Sequence, residues 1–252
     1  MVDRLAVAVM SNGRATLEHY PGHERLAART HVYYPPVDTD VFRPATAAEI
    51  DATRAHLGVP PSAPLVGTVA NVNPQKGIAA FIRMAQRVRT EIPSAQFVVV
   101  GDLAASQRRY VKLMQAEVVE RGLGNSFTWL GSRSDVPRLV AAFDVKVIAS
   151  VPQSEGTTTT AGEAMACGIP VVATDVGAVS EVVIHDETGF IVAANDEVAM
   201  SERVTALIRQ SELRRRLGTS GRERAIEHLS VDRCADVHAA VYRHALAARW
   251  TK

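Results

Sequence analysis

Short apolar runs alternate with amphipathic stretches along most of this chain. Residues 65–70, 96–100, 127–130, 145–149, 170–173 and 189–192 are apolar runs of strand length, each bounded by turn-forming residues. Between them the apolar positions recur at helical spacing, as in Ile78, Phe81, Ile82, Ala85 and Val88, which predicts an amphipathic helix. Further helices are predicted over residues 106–121, 137–142 and 159–166, and through most of the chain beyond 192. Strands that are apolar throughout and separated by helices predict a Rossmann-like parallel sheet of about six strands with helices on both faces. Upstream, residues 5–9 form another short apolar run of strand length, followed by a polar, His-containing stretch to Arg29 and then by His31, Val32, Tyr33 and Tyr34. Pro35 and Pro36 mark a turn-rich boundary, and a helix is predicted over residues 47–57, ending at Gly58.

The predicted organisation is an N-terminal segment (1–35), a linker (36–62), the sheet domain (63–228) and a C-terminal helix (229–252). The 252 residues are long enough to bury a real core, and 47% hydrophobic with 22% charged is an ordinary globular composition. Twenty-eight basic residues against 27 acidic ones create no global field favouring nucleic acid or membrane. Arg214, Arg215 and Arg216 read as a solvated helix face. Cys167 and Cys234 have no metal-ligand or CxxC spacing and are expected to be reduced. No apolar stretch reaches the roughly 18 residues of a membrane span. Residues 1–10, with Asp3 and Arg4, make a poor signal peptide. The expected location is cytoplasmic, with peripheral association at the inner membrane surface left open.

In a parallel sheet, ligands bind beyond the carboxyl ends of the strands, so the residues after each strand carry the functional information. After residues 65–70 come Asn71 to Gly77, with Lys76 at a helix start. Such a lysine suits a diphosphate, or is a solvated first-turn residue. The segment lacks the glycines and the Gly-Lys-Ser/Thr ending of a Walker A loop. Gly101-Asp102-Leu103 is not the glycine-rich fingerprint of a dinucleotide site, which removes the main support for a dehydrogenase. After residues 127–130, Ser134 or Asp135 is expected to cap the next helix.

The richest segment follows residues 145–149. Glu155 lies on a loop and Glu163 within a helix, eight positions apart. Between them, the backbone N–H groups near Gly156, Thr157, Thr158, Thr159 and Thr160 are the unpaired donors of a helix start, suited to phosphate oxygens. Carboxylates suit sugar hydroxyls. Gly162, inside the helix, predicts close approach of a ligand or backbone.

This segment resembles the E-x7-E signature of the family-4 retaining glycosyltransferases, which have the GT-B fold. The similarity extends through Val37-Asp38-Thr39-Asp40-Val41-Phe42-Arg43-Pro44, Gly67 with Lys76 and Gly77, Asp135-Val136-Pro137 and Asp144-Val145. It continues along residues 164–174, Gly177 with Glu181, and Thr188-Gly189-Phe190. The resemblance implies a nucleotide-diphosphate-sugar site. Glu163 would accept hydrogen bonds from the ribose, and Glu155 would hold donor-sugar hydroxyls. Lys76 would neutralise the diphosphate together with the N–H groups of residues 156–160, and the main chain of residues 129–131, Leu130 included, would meet the base. It implies no metal and no cofactor beyond the donor. Asn71 stands where many members have an arginine, leaving Arg133 as a substitute. Thr158 stands where many have glycine.

Only roughly the first 35 residues precede the entry to the second domain. The resemblance therefore implies that the chain lacks most of an acceptor-binding domain. His19, His23 and His31 read as surface or core residues. A partner chain or self-association is expected to cover an exposed apolar patch, and the acceptor is unknown. The alternatives to a transferase are a non-catalytic nucleotide-sugar-binding subunit and a sugar-nucleotide epimerase or hydrolase of the same fold.

Overall fold

The computed structural model describes residues 6–18, 20, 22–103 and 105–250; His19 and Leu5 lie outside them. Six parallel strands form the main sheet: β3 (Leu65–Val69), β4 (Gln96–Val100), β5 (Phe127–Gly131), β6 (Val145–Ile148), β7 (Val171–Thr174) and β8 (Gly189–Val192). Their spatial order is β5-β4-β3-β6-β7-β8. Consecutive strands run outward from β3 to one edge, and then from β6 to the other. The order therefore reverses between β3 and β6, opening a crevice at their carboxyl ends. Two short parallel strands, β1 (Val9–Ser11) and β2 (Thr30–Val32), form a separate sheet and flank α1 (Arg14–Glu18).

Alternation along the strands feeds two cores. Val66, Phe97, Val99, Val145 and Val147 pack with α3 (Ile78–Glu91), α4 (Arg108–Glu120) and α8 (Glu197–Arg209) on one face. Leu65, Val98, Val100 and Ile148 pack with α5 (Val136–Val140), α6 (Thr159–Ala166) and α7 (Val179–Val182) on the other. Phe81 and Phe97 meet edge-on at 6.4 Å in the first core, each ring burying surface worth about 1.5–3 kcal/mol. In the second, the ring of Phe143 fills the space beside Gly67, where a Cβ would lie 2.2 Å from it. Asp144 locks the start of β6 to β3, accepting the Leu65 N–H at 2.8 Å and Arg54 at 2.7 Å.

The linker helix α2 (Ala47–His56) is started by a complete capping box between Thr46 and Glu49. The long helices α9 (Ser211–His228) and α10 (Val231–Trp250) close the chain. At their junction the Val37 N–H donates to the Leu229 carbonyl at 2.8 Å, tying the linker to the end of α9.

Three expectations change. Asp135 precedes α5 but makes no capping bond. Its carboxylate is taken by the Arg133 guanidinium at 2.7 and 2.8 Å, which holds its pKa below the usual carboxylate value. Gly162 makes room for side chains, not for ligand or backbone. A Cβ there would lie 2.9 Å from Val37 and 3.2 Å from Leu229. The early apolar run of residues 5–9 yields, among the described residues, a strand only at 9–11, which pairs with a second at 30–32.

Candidate functional site

The crevice between β3 and β6 is a cleft of about 320 Å³, lined after β3 by Ala70, Asn71 and Lys76, after β4 by Gly101, and after β6 by Ala149 and Ser150. Glu155 and Thr157, Thr158, Thr159 and Thr160 close its other side. Two glycines allow these loops to meet. Gly77 has φ 62°, and a Cβ there would sit 1.7 Å from the Ala149 carbonyl oxygen; at Gly101 (φ 155°) it would sit 2.0 Å from that of Ala70. Only glycine fits either place. The approach at Gly77 carries Lys76, on a single 3-10 turn (Pro74–Lys76), across to the end of β6.

There the Lys76 ammonium meets the Glu155 carboxylate at 2.5 Å, and the Ser150 hydroxyl donates to the same oxygen at 2.6 Å. The Glu155 side chain is only 8% exposed and that of Lys76 30%, so the pair is shielded and sterically fixed. An ammonium has three donors, and two remain for a ligand. Asn71 lines the cleft, but its Oδ1 accepts the Asp102 N–H at 3.2 Å. It pins the post-β3 loop to the post-β4 loop and brings no charge.

Thr158 occupies the N-cap of α6 without a side-chain capping bond, leaving the first N–H groups of that helix for the cleft. The Thr157 hydroxyl is buried with no partner. On the far side of this loop sits the N-terminal segment: Gly13 packs against Ala178 and Thr157, and Gly156 faces Asn12 and Thr16.

The profile of the glycosyl transferases group 1 family matches residues 49–224. This chain belongs to that family. Among similar proteins, the lipopolysaccharide core mannosyltransferase LpsB of Rhizobium meliloti is 32% identical over 211 residues, 82% of this chain and 58% of LpsB. The alpha-maltose-1-phosphate synthase of Mycolicibacterium smegmatis is 30% identical over 94% of this chain and 62% of its own length. This group 1 glycosyltransferase chain thus spans about three fifths of those curated relatives. Among solved structures, HepE of Anabaena in complex with UDP superposes with a TM-score of 0.88 at 25% identity, over 96% of this chain and 65% of HepE. The fold is the Rossmann-like domain of GT-B glycosyltransferases.

Within this glycosyltransferase domain, the residues singled out from sequence do not all converge. Lys76, Glu155, Asn71 and the four threonines line the cleft, while Gly156 lies between them on the loop. Glu163, one turn into α6, is half-buried and is not among the residues that line the cleft; its carboxylate makes no hydrogen bond or ion pair among the described residues. Burial raises its pKa, and the charge of Lys146 pulls it back. Leu130 packs against the second core, and Arg133 is spent on Asp135; neither lines the cleft. His23 is half-buried at the surface near the Tyr20 carbonyl, and the His31 ring lies tilted to that of His244, 6.2 Å between centroids. Two residues went unnoticed in the sequence. Ser150 was findable as the first residue past an apolar run. Lys146 was hidden inside one.

Proposed function

We propose that this chain binds the nucleotide-diphosphate sugar of a retaining, metal-independent glycosyltransferase reaction. The observation that carries the reading is the convergence of Lys76, the uncapped start of α6 and Glu155 at the switch point of the sheet. In it, the diphosphate lies between Lys76 and the α6 N–H groups, which neutralise the charge that develops as the anomeric C–O bond breaks. Glu155, oriented by Ser150 and Lys76, accepts hydrogen bonds from the donor sugar. Glu163 accepts them from the ribose. The UDP complex of the similar HepE supports a nucleotide in this cleft. No cofactor is invoked beyond the donor. Charge neutralisation by side chain and backbone is part of the proposal. None of the described helices is long and apolar enough to cross a membrane; a cytoplasmic setting is part of the proposal.

The test is calorimetry of this chain with UDP-, GDP- and ADP-sugars, in EDTA and in magnesium. At least one donor should bind equally in both, and Glu163→Ala should weaken it roughly 10- to 150-fold, as expected of hydrogen bonds to a charged group. A tenfold loss in EDTA would overturn metal independence, and unchanged affinity in the variant would overturn the role of Glu163. Proton NMR of the transferred sugar, with an acceptor-binding half and a panel of acceptors supplied, decides retention against inversion.

A further inference from the structure

Lys146 occupies the middle of β6, in register with Gly67 on one side and Val171 on the other. Its neighbours Val145 and Val147 face the core under α3 and α8. Alternation therefore sends Lys146 to the opposite face, where Ile148, two residues on, faces the α6 side and lines the cleft. Lys146 is thus one strand step below the cleft floor. It is 0% exposed, and its Nζ has no hydrogen-bond partner. Burying such a group unpaired is expensive, so an apolar residue would be expected here if packing were its only duty.

The element covering this face is α6, and its Glu163 also has a carboxylate without a partner. The two lie close enough for each to feel the other's charge, without a direct salt bridge. The other ionisable group acting on Lys146 is Lys76, at the head of α3. Cys167 lies one turn beyond Glu163, and Arg222 of α9 is held by the Ala166 carbonyl at 2.7 Å. Burial lowers the Lys146 ammonium to about 7, Glu163 opposes that shift and Lys76 adds to it. Lys146 beneath the cleft and Glu163 on the helix that covers this face are thus two unpaired groups of opposite sign, and the Glu163 carboxylate keeps its acceptor capacity for a ligand hydroxyl.

We propose that Lys146 is a positioning residue of the donor site, a buried counter-charge that keeps Glu163 an ionised acceptor when a nucleotide's ribose covers it. This rests on the donor reading of Glu163. Lys146 does not touch the nucleotide. Its contribution therefore exists only where both the Glu163 carboxylate and the ribose 2′-hydroxyl are present.

Lys146→Met keeps an unbranched apolar stem and removes the charge. UDP, GDP and ADP and their 2′-deoxy counterparts are titrated into the chain, K146M, E163Q and the double variant. Expected is about a tenfold loss of ribonucleotide affinity in K146M, less than about a twofold loss for the deoxy series, and no added loss in the E163Q background. Equal losses in both series, or the same loss with and without the Glu163 carboxylate, would overturn the proposal. Without any nucleotide, carbon-13 NMR of the Glu163 carboxyl should show a higher titration midpoint in K146M than in the unaltered chain. An unchanged midpoint overturns it as well. Failure of every nucleotide to bind would remove the donor reading, while the NMR midpoint would still decide whether Lys146 holds Glu163 ionised.

Discussion

Lys76 Nζ and the carboxylate of Glu155 stand 2.5 Å apart across 79 positions of sequence, joined because Gly77 lets one loop press against the backbone of another. The pair places a positive charge at the mouth of the cleft and fixes the carboxylate beside it. A diphosphate entering there finds the lysine already ordered, which reduces the entropy lost on binding.

Lys76→Ala should therefore weaken a nucleoside diphosphate by roughly 10- to 150-fold, the range for hydrogen bonds to charged groups. The parent nucleoside, which carries no phosphate, should lose less than about twofold. Calorimetry of both ligands against both proteins makes the comparison. Equal losses would mean that the lysine only holds Glu155 in place. Lys76→Met, which retains the stem, separates lost charge from lost packing.

Gly77→Ala tests the backbone approach that creates the pair. A left-handed non-glycine residue is strained by about 1–3 kcal/mol, and here the added Cβ would also drive into the Ala149 carbonyl oxygen at 1.7 Å. Urea unfolding should show a loss of at least that size, and Lys76 should separate from Glu155, with weakened diphosphate binding. Unfolding midpoints matching those of the unaltered chain would show that the loop relaxes without strain.

Much of this arrangement was legible in the residue pattern, and the failures have physical causes. In the main sheet the strand limits came within a residue or two, because the buried parallel strands are apolar on both faces and end abruptly at turns. The loop residues Lys76, Glu155 and Thr157 to Thr160 could be placed at one site because every parallel strand delivers its following loop to the same edge. Depth was not legible. A spacing of eight puts Glu163 on the helix but does not say how deep its carboxylate lies, and it is half-buried and outside the cleft lining. Gly162 and Asp135 failed because local rules were overridden by tertiary partners, Val37 and Leu229 for the glycine, Arg133 for the aspartate. Lys146 was absorbed into an apolar run that tolerated one exception.

The buried ionisable groups give stability a defined pH dependence. Lys146 is lowered in the fold from 10.5 to about 7, so folding opposes its cation. That penalty is complete below about pH 7 and is relieved as the pH rises toward 10.5. Cys167 is raised by burial from 9.0 to about 12. Above about pH 9 its unfolded thiol ionises while the folded one does not, and stability falls. Stability should thus rise between about pH 7 and 9, with a slope of up to about 1.4 kcal/mol per pH unit, and level off above. Urea midpoints at pH 7, 8 and 9 measure this. K146M should abolish the rise, and a rise that survives in K146M would assign it to another group.

Glu181 ties the N-terminal segment to the sheet domain. Its carboxylate accepts the N–H groups of Arg14 and Ala15, both at 2.9 Å, and the Tyr34 hydroxyl at 3.1 Å. The first two belong to the opening turn of α1, a position where a negative charge is favourable. The tyrosine reports the same contact, since burial and then the Glu181 charge raise its pKa. Glu181→Gln replaces one accepting oxygen with an amide that can only donate, so at least one N–H loses its partner and the charge is gone. Residues 11–18 should then exchange their amide hydrogens faster by tenfold or more, about 1.4 kcal/mol of local opening. The amides of β3, β4 and β6 should keep their protection. The segment packs through Gly13 and Thr16 on the loop that carries Glu155 and Thr157, so diphosphate affinity should fall by a smaller factor in the same variant. Hydrogen exchange followed by mass spectrometry, with calorimetry alongside, reads both effects. Unchanged protection over residues 11–18 would show that α1 is held by its own packing and not by Glu181.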